Sequence, residues 1–367
     1  MSRCGYVFLL LMAWSGMAML PGRAMARPAD PVAWGDTVTV KAAGTSWGRM
    51  ASLGDGDWLM VYTVFPEDAP TRLEIARSED KARSWAVLAQ VAEPGRDLDN
   101  GELIRLDDGT LLLAMRSVVD GRSYRLPVYR STDGGASWQY LSTIDANEHP
   151  GGRTDRGLWE PAFDLLDDGS LSVLYADETL ADASPSYSQV VSQRISSDGG
   201  ATWGPATHVV EETGGGEARP GMPTMARMAD GHYILAFEIC GRGPDCDVSY
   251  QISDDGRHWP EGLGTGIPYQ RCGPSIIATR DGRLLITSCL NEVSYSNDGG
   301  ASWMTNDPPA WPIGFRHSWP AIYQTGADEV AVVNGGDDGA LNIRFGTLLP
   351  APDAVRRFDD SGKRHPP

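Results

Sequence analysis

STDGGASW, residues 131–138, comes back four more times along the chain: as SEDKARSW (78–85), SSDGGATW (196–203), SDDGRHW (253–259) and SNDGGASW (296–303). The shared core is S-x-D-x-G-x-x-W. In such a turn an Asp side chain bonds backbone N–H groups two residues on, and the Gly takes a positive φ. The Trp three residues later is large enough to lie over the turn and pin it. Two copies depart from the pattern: Ala82 stands where Gly is expected, and the fourth copy is one residue short between its Asp and its Trp. A motif recurring at this distance marks an array of similar supersecondary units.

A second repeat is interleaved with the first. Asp55-Gly56, Asp108-Gly109, Asp168-Gly169, Asp230-Gly231 and Asp281-Gly282 lie between apolar runs, as in ELIRL-DDG-TLLLAM, with a degenerate sixth turn at Gly326-Ala327. Asp-Gly between apolar runs signals a hairpin. The six units are spaced by roughly 45 to 62 residues, the scale of a propeller blade with long loops. Each blade therefore reads strand, Asp-Gly turn, strand, loop, strand, S-x-D turn, strand. The sixth lacks the S-x-D turn; its third strand is Leu341–Leu348, and an N-terminal strand near residues 37–41 supplies the fourth and closes the ring. The expected fold is all-β, a six-bladed β-propeller, with an open all-β solenoid as the alternative. The five turns resemble the Asp-box, or BNR repeat, of sialidase-like propellers.

Residues 1–26 have the pattern of a signal peptide: Arg3, a mostly apolar stretch from Tyr6 to Leu20, and a small-x-small site at Ala24-Met25-Ala26. Ser15 and Gly16 interrupt the apolar stretch, which is short for a membrane span. The expected product is a single catalytic domain over 27–350 with a tail at 351–367, secreted or periplasmic, monomeric and without a membrane partner once cleaved. Loss of Arg3 and Arg23 takes the net charge from −18 to about −20. No basic stretch offsets it, which argues against nucleic acid as a partner. Four Cys remain, an even number that suits an oxidising compartment. Cys240 and Cys246 flank one short loop, and Cys272 and Cys289 sit on paired strands, so the expected disulfides are Cys240–Cys246 and Cys272–Cys289. Zinc is the alternative, but no His has ligand spacing with these Cys.

Blade topology selects the functional face. First strands start, and second strands end, on the face opposite the S-x-D turns, so the repeats are scaffold. Among the carboxylates on that face, Glu160 (GLWEPAF) and Glu238 (ILAFEIC) have apolar flanks. Such surroundings raise a carboxyl pKa by desolvation, as an acid catalyst at neutral pH requires. Two carboxyls across a sugar pocket are the usual apparatus of glycoside hydrolysis.

WEPAFDLLDDGSLSVLYADE, SQVVSQRISSDGGATWG, RPGMPTMARMADGHYILAFEICG and CDVSYQISDDG, within about residues 155–260, resemble the exo-α-1,5-L-arabinanase (arabinobiohydrolase) family of glycoside hydrolases. The remaining blades resemble it by repeat pattern alone. The resemblance implies a secreted six-bladed propeller that releases arabinobiose from α-1,5-linked arabinan with retention. It implies Glu160 as nucleophile and Glu238 as acid/base, with no metal or cofactor and an oligo- or polysaccharide as substrate. Asp99, Asn100, Asp177, Arg219 and Arg316 are candidates to hold sugar hydroxyls, and Trp159 and Trp319 to stack on sugar faces. Two readings compete. A sialidase holds its substrate's carboxylate with an Arg cluster; here the first blade reads WGRMASL, and Arg49 is the counterpart of the usual Arg. A non-catalytic carbohydrate-binding propeller would need no carboxyl pair.

Overall fold

The apolar runs and their turns form six antiparallel sheets of four strands each in the computed structural model, which describes residues 30–290, 292–311, 317–336 and 339–350. The expected signal segment, the C-terminal tail, Arg316 and Asp337 lie outside the described residues. The first strands of the sheets are Thr45–Gly54, Asp97–Arg105, Leu158–Leu165, Arg219–Arg227, Ser275–Ala278 and His317–Gly326. Each touches the next in that order, and the last touches the first, so the ring is closed. We number the blades 1 to 6 accordingly. The fourth strand of blade 6 is Val32–Lys41, which pairs antiparallel with Leu341–Leu348, Val38 facing Ile343. The N-terminal strand therefore clasps the last blade, as the sequence implied. Among the described residues no α-helix occurs, only a 3-10 turn at Thr179–Asp182.

The turns divide their work differently from the sequence expectation. The Asp of an Asp-Gly turn does bond the N–H two residues on, as Asp108 does with Thr110 at 2.9 Å. In the S-x-D turns the Asp reaches further. Asp133 accepts from the Ser137 N–H at 2.9 Å and from the Ser137 hydroxyl at 2.6 Å, while Ser131 Oγ accepts the Gly135 N–H at 2.9 Å. The extra residues make a wider loop than a β-turn, so the acceptor must span four positions. In the shortened fourth copy, Asp255 accepts from Arg257 and His258 instead, both at 2.9 Å. Ala82 takes the left-handed φ of 63° that Gly would have taken, and is fully buried.

The closing Trp residues pin more than their own turns. Each packs into the apolar cluster shared with the preceding blade: Trp85 against Trp58 and Phe345, Trp138 against Leu59 and Leu113, Trp203 against Leu112 and Phe163, Trp259 against Leu174 and Phe237, Trp303 against Ile234 and Ile286. Blade 6 has no such turn, and Trp34 and Trp311 fill the blade 5–blade 6 cluster instead. One large aromatic group at each seam is what holds six otherwise separate sheets as a ring.

A further repeat becomes visible only in the strand register. In blades 1, 2, 3, 4 and 6 the first strand bulges, with register breaks at Ser46/Arg49, Asp99/Glu102, Trp159/Ala162, Gly221/Thr224 and Ser318/Ala321. Within each bulge one non-glycine residue has a left-handed φ: Trp47, Asn100, Glu160, Met222 and Trp319. In each case Gly or Pro follows. Blade 5 has Gly273 at the same place, before Pro274. A bulge leaves its extra residue outside the ladder and re-aims the side chain. Five such residues, with Gly273 in blade 5, thus occupy the same place along the first strands.

Candidate active site

Glu160 is the bulge residue of blade 3, and its position there explains its environment. Its Oε2 accepts the N–H of Met222, the bulge residue of blade 4, at 2.8 Å. Glu238 lies two residues before the end of the second strand of blade 4, opposite Gly221 and just above that bulge. Its Oε2 accepts the N–H of Gly273, the residue at the same place in blade 5, at 2.6 Å. Each carboxyl is therefore held by a backbone donor of the next blade that lies outside the ladder, Met222 within a bulge and Gly273 beyond the last pair.

Both carboxyls line one cleft of about 160 Å³ with Trp159, Glu178, Gln189, Arg219 and Cys240. Burial and then the charge of Glu238 push Glu160 up to about 7, against the Met222 N–H and Arg116. Burial also raises Glu238, opposed by the Gly273 N–H and Arg219. A neighbouring negative charge adds to burial in disfavouring the ionised form of Glu160. Larger clefts lie elsewhere, one of about 440 Å³ beside Trp85 and one of about 600 Å³ lined by Arg242, Asp247 and Arg271. The smaller cleft is the one in which two carboxyls with raised pKa values meet. Glu238 also lies near Cys240 and Cys246, but those sulfurs are joined in a disulfide and offer no thiolate to a metal.

The other sequence candidates divide. Arg219 is in the cleft wall, donating to Glu178 and to Gln189 Oε1, the latter at 2.8 Å. Trp159 lies under the Arg116 guanidinium, 4.6 Å from its ring centroid. Asp99 borders that group, 3.9 Å from Arg116, and accepts from the Thr63 hydroxyl at 2.5 Å. Asn100 is buried with its Oδ1 unpartnered. Trp319 is 40 % exposed and 5.9 Å from Trp47. Asp177 is placed apart from the cleft: buried, it accepts from Thr179 and Ser192 and fixes the turn after its strand. Its neighbour Glu178 takes the place in the cleft, accepting the Gly157 N–H at 2.7 Å.

Sequence reasoning had not singled out Arg116, Gln189 or the bulge N–H groups. The recurring x-Gly and x-Pro dipeptides at the first strands were the available signal. Gly221 in the RPGMP run also has a steric reason. A Cβ there would come within 2.6 Å of Gln189 Nε2 and 3.4 Å of Glu160 Oε2. Both expected disulfides are present, Cys240–Cys246 and Cys272–Cys289. They are consistent with an oxidising compartment.

No protein-family model and no curated protein sequence matches the chain. Solved structures do. An α-L-arabinanase of Penicillium chrysogenum, complexed with arabinobiose, superposes with a TM-score of 0.74 at 22 % identity, covering 86 % of this chain and 99 % of that one. An α-L-arabinofuranosidase of Fusarium graminearum, also with arabinobiose, gives 0.71 at 18 % identity over 85 % and 97 %. The intramolecular trans-sialidase of Ruminococcus gnavus gives 0.59 at 11 % identity over 85 % and 97 %. The structural neighbours are thus arabinan-type glycoside hydrolases together with sialidase-like propellers, and the shared property is the fold.

Proposed function

We propose that this chain is an exported glycoside hydrolase, a retaining exo-arabinanase that releases arabinobiose from α-1,5-linked arabinan. One observation carries the reading: Glu160 and Glu238, both raised by burial and each held by one backbone N–H, line the same cleft. Glu238 protonates the glycosidic oxygen while Glu160 attacks the anomeric carbon. The C–O bond to the leaving sugar breaks as the arabinosyl–Glu160 ester forms. Glu238, now a carboxylate, takes a proton from water, which displaces Glu160. Retention by this route calls for carboxyl groups about 5–5.5 Å apart. The assignment of roles rests on the family resemblance. So does arabinan as substrate, whereas export, with cleavage after Ala26, rests on the signal-peptide pattern and the paired Cys.

The arginines favour this reading over a sialidase. Arg49 lies 4.3 Å from the Trp47 ring centroid, donates to the Gly48 and Trp319 carbonyls and borders Glu102. Arg219 is paired with Glu178, and Arg271 with Asp247. Each is already engaged by the protein's own acceptors rather than converging on a ligand carboxylate. The test is product analysis on debranched arabinan. Arabinobiose as the sole early product, of retained anomeric configuration, is expected. Release from a sialoside that is lost in Arg49→Ala, with none from arabinan, would overturn the proposal. Azide rescue separates the roles: Glu160→Gly should yield a glycosyl azide of inverted configuration, and Glu238→Gly one of retained configuration.

A further inference from the structure

Blade 5 departs from the other blades at the point where its bulge meets Glu238. In the other five, the ladder between first and second strands resumes above the bulge, beginning with Ser46 and Thr63, Asp99 and Arg116, Trp159 and Ala176, Gly221 and Glu238, Ser318 and Gly335. The corresponding ladder in blade 5 stops at Ser275 and Thr287, below the bulge. The positions that would form the next pair are Cys272 and Cys289, and they are joined by a disulfide. A covalent bond stands where the other blades have strand pairing.

That bond lies next to the donor that holds Glu238. Cys272 is a non-glycine residue at φ 48°, followed by Gly273 at φ 36°, whose N–H donates to Glu238 Oε2. A left-handed non-glycine residue is strained and persists only where its surroundings over-determine it. Here the surroundings are the disulfide and the bonds of two backbone donors. The Cys272 N–H donates to the Cys246 carbonyl at 2.8 Å, and the Cys289 N–H is shared between the Arg271 carbonyl at 3.1 Å and the Cys272 carbonyl at 3.3 Å. Cys246 is in turn bonded to Cys240, two residues beyond Glu238 on its own strand. The chain thus runs from Glu238 through Cys240, Cys246 and Cys272 back to Gly273 and Glu238. Gly273 itself has little room to be anchored by a side chain, since a Cβ would lie 3.0 Å from Trp319 and 3.1 Å from Met222.

We propose that Cys272 and Cys289 are positioning residues for the acid/base: their disulfide fixes the Gly273 N–H against Glu238, in place of the missing ladder, and opening it alters Glu238 before it alters the propeller. The proposal rests on the reading of Glu238 as acid/base only for its kinetic consequences. The N–H stabilises the ionised carboxyl, so its loss raises the Glu238 pKa further.

The test compares the wild type with a Cys272→Ser/Cys289→Ser double variant, with Cys240–Cys246 intact. Carboxyl ¹³C titration of Glu238, assigned through Glu238→Gln, reads the pKa without any substrate. An upward shift in a protein that still melts cooperatively above the assay temperature is expected. An unchanged titration overturns the clamp. On arabinan the variant should lose kcat with KM within about twofold, and the alkaline limb of its pH profile should move up. An arabinobioside with a dinitrophenyl leaving group needs no proton from Glu238, so on it the deficit should shrink. An equal deficit on both substrates overturns the route through Glu238. If the variant does not fold, mild phosphine reduction of the folded wild type followed by alkylation gives the same readouts; unfolding in both formats also overturns the proposal. A wild type inert on both substrates would fail the proposed activity, and the titration would still decide the clamp.

Discussion

Glu160→Gln and Glu238→Gln each keep the shape of the side chain while removing its acid/base function. Each is expected to lower kcat on arabinan by roughly a thousandfold or more without lowering the melting temperature. Because burial raises both carboxyls, kcat/KM should be bell-shaped with both limbs above the ordinary carboxylate range, the acid limb following ionisation of Glu160 and the alkaline limb loss of the Glu238 proton. A profile flat from pH 5 to 9 would count against a carboxyl pair. Glu102 offers a separate test, of stability. It lies 3.8 Å from Arg49, and burial pushes it up to about 7 against that guanidinium. Asp164 and Tyr323 are both raised by burial and by the charge of Glu102. A carboxyl raised in the fold is protonated there while the unfolded chain has already ionised. Its contribution is therefore intact below about 4.5 and is lost as pH rises towards 7. Glu102→Gln should stabilise the protein by on the order of 1–3 kcal/mol at pH 8 and by almost nothing at pH 4, read by urea unfolding.

At the level of elements, the turns were legible because their chemistry is local. Ser, Asp, Gly and Trp lie within eight positions, and each has a structural job that its identity announces. The bulges were not, because Trp47-Gly48, Asn100-Gly101, Glu160-Pro161, Met222-Pro223, Gly273-Pro274 and Trp319-Pro320 share no first residue. Their equivalence lies in the register against the second strand, which is a property of two segments. Glu160 and Glu238 could be found from apolar flanks and family resemblance. Arg116, Glu178 and Gln189 could not, since they reach the site from the second and third blades and look like ordinary polar residues in sequence. The turns being scaffold, Trp203→Ala should leave kcat/KM within about twofold while costing about 3 kcal/mol. Its indole stacks on Phe163 at 6.2 Å and donates to Ser142 Oγ at 3.1 Å, across the blade 2–blade 3 seam. Thermal melts and arabinan kinetics on the same preparation check both halves of that expectation.

Across the whole molecule, the closed ring depends on two segments far apart in the chain. Val32–Lys41 completes the sheet that ends at Leu348, and Val32 also pairs both its backbone groups with Asn306. Deleting residues 30–41 should expose the outer edge of Leu341–Leu348, lower the melting temperature and replace one cooperative transition with a broad one, as calorimetry would show. The clasp also sets an order of events during synthesis. The first strand to leave the ribosome has no partner until the last blade has emerged, some three hundred residues later, or about 15–60 s at ordinary elongation rates. Until then blades 1 to 5 can stack only as an open arc, and the N-terminal strand is held in waiting. The chain thus carries a timer: the ring cannot lock before translation is nearly complete.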